Sequence, residues 1–260
     1  MAIIDVHGHF GAYRKDGESD LTLGFMTGSA GEVVSRADAA GIRLTIASPL
    51  EALLPRGKAD AFAGNEEASR TMPQHPRLRL YAVVNPRQPE TYDQAAEMLK
   101  QPWCVGIKIH PEEHQYPISQ YGKELFRFFD QCKVPVLTHS GCPNSLPIDF
   151  LPFIEQFPEV RLILAHIGNG TGDRNRPDLQ VEVLQKTQGV PVYADTSSAR
   201  SMLSGLIEWA VETVGSERIL FGTDTPLYHA GAQAGRIRTA SIPDADKDNI
   251  LYQNARSLFP

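Results

Sequence analysis

Disulfide chemistry has little to work with in this chain. Its 260 residues carry three cysteines, Cys104, Cys132 and Cys142, an odd number with no CxxC spacing. That excludes a disulfide framework and leaves free thiols. Cationic excess is missing too. Lys and Arg number 25 against 31 Asp and Glu, a net charge of −6, so the clustered basic surface of a nucleic-acid binder is not expected. No apolar run approaches the roughly 18 residues that span a bilayer, and no membrane association is expected. The opening MAIIDVHGHF lacks a basic stretch followed by an apolar one. No secretory leader is expected, and the chain reads as cytoplasmic. There is no repeat, low-complexity tract or linker, so one domain over residues 1–260 is expected. Neither GxGxxG nor GxSxG occurs. Residues 168–172 spell GNGTG, better read as a flexible loop than a phosphate cradle, and Ser140 and Cys142 beside His139 lack the nucleophile elbow.

What is present is a recurring pattern. The composition, 42% hydrophobic and 22% charged, is that of an ordinary globular protein. Short apolar, β-branched runs fall at 2–6 (AIIDV), 43–47 (RLTIA), 78–84 (LRLYAVV), 105–109 (VGIKI), 135–138 (PVLT), 160–165 (VRLILA), 191–194 (PVYA) and 218–222 (RILFG). Helix signals lie between them at 32–40, 89–100, 119–131, 177–188, 202–214 and, last, 243–259. Alternating strands and helices imply a parallel sheet, and near-continuous apolar strands imply burial on both faces. Eight such units in a chain close to the roughly 250 residues typical of the architecture predict the α/β class as a single closed (β/α)8 TIM barrel. Its active site is expected at the C-terminal ends of the strands. The connections 11–29, 167–176 and 225–238 are long and would share that face.

Seven of the eight histidines fall at or just after a predicted strand end, and only His75 lies elsewhere. His7-x-His9 closes the first strand, and period-two alternation puts both imidazoles on one side. By itself such a pair is common by chance. His139 ends the fifth strand, His166 the sixth and Asp224 the eighth. Each alone could be a satisfied polar residue, but matching positions on different strands make a ligand set for a divalent ion. Zinc is the first expectation, with Mn, Fe or Ni also suited. Lys108 sits in an apolar strand, where its charge needs a partner. His110, His114, Arg174, Arg176 and Tyr228 lie in loops of the same face and are candidate substrate contacts. The loop arginines point to an anionic small molecule.

The segments IIDVHGHF, VGIKIHP, VPVLTHSG, VRLILAHIGNG, ILFGTDTPL and ILYQNARSLF resemble the amidohydrolase superfamily across almost the whole chain. They look most like the branch of TIM-barrel metal-dependent hydrolases often called amidohydrolase 2, which also includes decarboxylases of aromatic or unsaturated acids. The resemblance implies that His7, His9, His139 and Asp224 bind metal. It implies that His166 either binds a second ion or polarises the substrate, and that Lys108 matches the bridging position of binuclear members. One or two ions fit, with the balance toward one. The leading expectation is a hydrolase of a small anionic amide, ester or lactone, with Asp224 as general base toward a metal-activated water and His166 assisting. The second is a non-hydrolytic decarboxylase, in which Asp224 protonates the carbon that loses CO2. The third is a metal-free ligand-binding barrel. Partners reduce to a small-molecule substrate, with homo-oligomerisation left open.

Overall fold

The structure, a computed structural model, describes residues 2–170 and 176–259. Eight parallel strands follow one another in a single sheet in chain order: β1 (Ile4–Phe10), β2 (Leu44–Pro49), β3 (Leu78–Val83), β4 (Cys104–Ile109), β5 (Val136–Thr138), β6 (Leu162–Leu164), β7 (Val192–Asp195) and β8 (Ile219–Leu220). Helices α1 (Asp20–Met26) and α2 (Ala30–Ala39) follow β1. Then α3 (Ala61–Thr71), α4 (Glu90–Met98), α5 (Ile118–Cys132), α6 (Leu151–Gln156), α7 (Leu179–Lys186) and α8 (Leu206–Val214) lie one between each pair of successive strands. α9 (Ala230–Thr239), α10 (Asp244–Asp248) and α11 (Asn254–Leu258) close the chain. No helix among the described residues is long and apolar enough to cross a membrane.

Alternation along the strands sorts the core into two layers. Leu80, Ile107, Val136, Leu162, Val192 and Ile219 belong to the large cluster shared with the helices. Tyr81, Val105, Leu137, Ile163, Tyr193 and Leu220 belong to a second cluster on the opposite face, capped by Ala255 and Leu258 of α11. Lys108, Leu137, Ile163 and Tyr193 are register partners across four strands, so Lys108 rides on that second face at the level where polar residues take over. The sheet curls far enough for its first strand to reach the segment after its last. Val6 N–H donates to Phe221 O at 2.9 Å, Asp224 N–H to His7 O at 2.7 Å, and His9 N–H to Thr225 O at 2.6 Å.

Local signals explain most boundaries. Ser29 and Glu32 form a reciprocal capping box that starts α2, and Gly41 ends that segment at a φ of +74°. The connections expected as loops at 11–29 and 225–238 hold α1 and α9 instead. His229 caps α9, its Nδ1 accepting from Ala232 N at 3.1 Å. The final helix expected over 243–259 is interrupted by a π-helical turn, Asn249–Gln253, where the Ile250 carbonyl accepts from Phe221 N at 3.0 Å.

Candidate metal centre

β1 runs four residues past its predicted end, to Phe10, and a register shift against β2 between Asp5 and Gly8 sets up its polar tip. His7 and His9 are buried there. His9 Nε2 lies 3.0 Å from Asp224 Oδ1, and His7 Nε2 lies 3.7 Å from the same oxygen. These three residues form one of two compact groups of candidate ligands among the described residues. The other is His7, His166 and Asp195. Asp224 and His166 both have left-handed backbones, at φ +57° and +70°, uncommon for residues with a Cβ. Asp224 N bonded to His7 O and His166 N bonded to Asp195 Oδ1 at 3.1 Å hold the two turns that swing these side chains inward.

The charge states suit a cation. Burial first, and then the Lys108 charge, hold His7 well below the usual histidine range, and burial also lowers His9. Burial opposes ionisation of Asp224, but the His9 hydrogen bond and the close approach of the surrounding imidazoles outweigh it and keep the carboxyl well below its ordinary range. Neutral imidazoles beside an ionised carboxylate are the donors a divalent ion requires. Lys108 Nζ sits 3.1 Å from His7 Nε2. Its burial, offset by Asp224 and Asp195, brings it down to about 8.

Around this floor lies a cavity of about 210 Å³ walled by Tyr13, Leu50, Leu53, Leu54, Leu227 and Tyr228. It holds six residues expected from the sequence: His7, His9, Lys108, His139, His166 and Asp224. His110 and Tyr228 line it as well. His139 belongs to neither compact group; its Nε2 faces Cys142 Sγ at 3.1 Å, and its ring stacks on His110 at 4.3 Å between centroids. Two expected substrate contacts are placed elsewhere. His114 is buried outside this cavity with its Nε2 2.8 Å from Ala52 O, and Arg176 is tied to Asp178 and Glu182. Arg174 lies outside the described residues.

Among the described residues, the arginine that does line the cavity is Arg56, paired with Glu113 at 2.7 Å and Glu112 at 3.6 Å. Sequence reasoning passed over it because its segment carries no strand-end signal. It also passed over Asp195, although an Asp closing a predicted strand is the signal that singled out Asp224.

A family model described as Amidohydrolase matches residues 4–260. The γ-resorcylate decarboxylase of Polaromonas sp. (strain JS666) is 28% identical over 117 residues, covering 40% of this chain and 36% of that protein, so the chain spans about a third of the length of the curated relatives it matches. The crystal structure of 2,6-dihydroxybenzoate decarboxylase from Rhizobium superposes with a TM-score of 0.75 at 17% identity, covering 99% of this chain and 98% of that one. The dihydroxybenzoic acid decarboxylase of Polaromonas sp. JS666, solved with manganese and 2-nitroresorcinol, gives 0.74 at 19%, covering 99% and 96%. These findings correct the leading expectation of a hydrolase: the curated relatives are decarboxylases. The residues could not reveal this, because both chemistries draw on one donor set.

Proposed function

The chain belongs to the amidohydrolase family, and on that premise we propose that it is a metal-dependent decarboxylase of a small hydroxylated aromatic carboxylic acid. The likeness to γ-resorcylate decarboxylase carries this reading. The site supports it with a compact donor group under an apolar, tyrosine-bearing wall. We take the curled sheet as a closed one-domain barrel, supported by the bonds from Val6 and His9 to Phe221 and Thr225, with the site at the C-terminal ends of its strands. The cavity, about 210 Å³, falls below the roughly 300–1,000 Å³ of sites for larger ligands. It suits a single substituted ring.

In this reading His7, His9 and Asp224 hold one ion, and His139 joins them by exchanging Cys142 for it. Manganese is the ion to test first, with zinc second. The bound ion would supply a Lewis acid for the substrate's carboxylate and neighbouring hydroxyl oxygen. His166 presents its Nε2 to the substrate's polar edge. Lys108 keeps the floor cationic, which favours a carboxylate there. Asp224 takes up a proton and delivers it to the ring carbon bearing the carboxylate. The bond to that carboxylate breaks, its electron pair restores the aromatic ring, and CO2 leaves. One proton from solvent is consumed per turnover. Leu50, Leu53 and Leu54 keep bulk water from the reacting carbon.

The test is CO2 release from a panel of hydroxybenzoates, 2,6-dihydroxybenzoate first, with manganese-loaded protein. Stoichiometric CO2 and the corresponding phenol, both abolished by chelation, are expected. Hydrolysis of esters or lactones without any CO2 from the panel would reject the reading.

A further inference from the structure

We propose that the end of β7, Asp195 to Ser197, sets the tautomers of His7 and His166 so that both rings turn a bare Nε2 toward the cavity. The inference rests on the metal-site reading above and concerns residues to which that reading gives no role. His7 Nδ1 lies 2.8 Å from Asp195 Oδ2 and 2.9 Å from Ser197 Oγ. Asp195 Oδ1 accepts from the backbone N–H of His166 at 3.1 Å, from that of Ser197 at 2.9 Å, and from the Ser197 hydroxyl. Three donors on one oxygen mark an ionised carboxylate, so its other oxygen can only accept. The hydrogen between the pair is therefore on His7 Nδ1.

Ser197 has one hydroxyl proton, and it goes to Asp195. Toward His7 Nδ1 and His166 Nδ1, the latter at 2.8 Å, its oxygen is left as an acceptor. A second bond fixes His166 independently: its Nδ1 lies 2.8 Å from the Ser197 carbonyl, which has no proton to give. On the far side of His7, the ammonium of Lys108, a donor, approaches Nε2 at 3.1 Å. Every hydrogen around His7 thus runs the same way. His7, Asp195 and Ser197 are all 0% exposed, so no bulk water competes for these bonds. A carboxylate behind a ligating imidazole orients the ring and raises its basicity. Asp195 is a positioning residue in this sense, acting through His7.

The substitution Asp195→Asn keeps the shape but puts an amide N–H₂ opposite His7 Nδ1, pushing the ring proton to Nε2, where the ion must bind. Manganese affinity, measured by chelator competition on the full chain, should fall about 10- to 100-fold while the metal-free variant stays folded by circular dichroism. Unchanged affinity in a folded variant overturns the proposal. The tautomers are also read directly, from the nitrogen spectrum of ¹⁵N-histidine-labelled, metal-free wild-type protein. Nδ1–H at His7 and His166 is expected, and Nε2–H at either overturns the proposal even if the variant fails to fold. A wild-type chain that binds no divalent ion would reject the metal-site reading alone, and the tautomer spectrum would then decide this inference by itself.

Discussion

Asp224 is where the demands on this site meet: it faces both β1 histidines, carries a left-handed backbone and stays ionised although buried. Asp224→Asn preserves its volume but removes both the anionic donor and the transferable proton. Its kcat should fall by about 10²–10⁴, the range for losing a positioned acid or base, with metal content falling in the same preparation. Near-normal turnover would exclude Asp224 as the proton donor. His114 works differently. Its Nε2–H donates to Ala52 O, its Nδ1 is buried without a partner, and burial lowers it from 6.5 to about 4 despite that bond. Between those values the unfolded chain binds a proton that the folded chain refuses, so stability falls as pH drops through this window and is fully kept above it. Asparagine at 114 cannot titrate. Between pH 7 and 5 the His114→Asn variant should therefore lose about 2 kcal/mol less stability than wild type in urea unfolding. Parallel losses would place the acid sensitivity in other groups.

At the scale of elements, legibility followed side-chain size. The helix α5 is visible in the sequence because Phe126 and Phe129 mark its buried face. α3 buries Ala61, Gly64, Asn65 and Ala68, a correct helical spacing written in small and polar residues, so no hydrophobic periodicity betrays it. α9 hides in much the same way, its buried face made of Ala230, Gln233 and Ala234 with Ile237 as the one large apolar residue, and α1 has no buried residue at all. The strands were legible because they are apolar on both faces, and the strand-end ligands because an isolated polar residue stands out there. The left-handed turns at His166 and Asp224 were not, since long-range bonds to Asp195 and His7 impose them. The smallness of α3 has a use: a Cβ on Gly64 would meet Ala52 N at 2.4 Å, inside the turn that carries Leu50 and Leu53 to the cavity wall. Gly64→Ala should cost about 1–3 kcal/mol by overpacking, seen as a lower Tm, and should raise KM more than it lowers kcat. An unshifted Tm would show that the turn yields freely.

For the whole molecule, the consequential fact is which parts of the chain the donors come from. His7 and His9 lie on the first strand and Asp224 lies just beyond the last. Their backbones already meet through Asp224 N to His7 O and His9 N to Thr225 O. Asp5 extends the seam, accepting the Thr223 hydroxyl at 2.6 Å and its backbone N–H at 3.0 Å. Consecutive strands elsewhere in the sheet are tied by their own ladders, whereas this junction joins residues more than 200 positions apart and rests on a few bonds at its polar end. An ion shared by His7, His9 and Asp224 would act as a staple across that junction. A ligand at 100 times its Kd stabilises the folded state by about 2.7 kcal/mol, and at this chain length each kcal/mol raises Tm by roughly 2–4 °C. Manganese should therefore raise Tm by several degrees over metal-free protein. The gain in amide hydrogen-exchange protection should concentrate at residues 6–9 and 221–225 rather than spread evenly over the sheet. Protection that rises uniformly, or only around His139 and Cys142, would place the ion away from the seam.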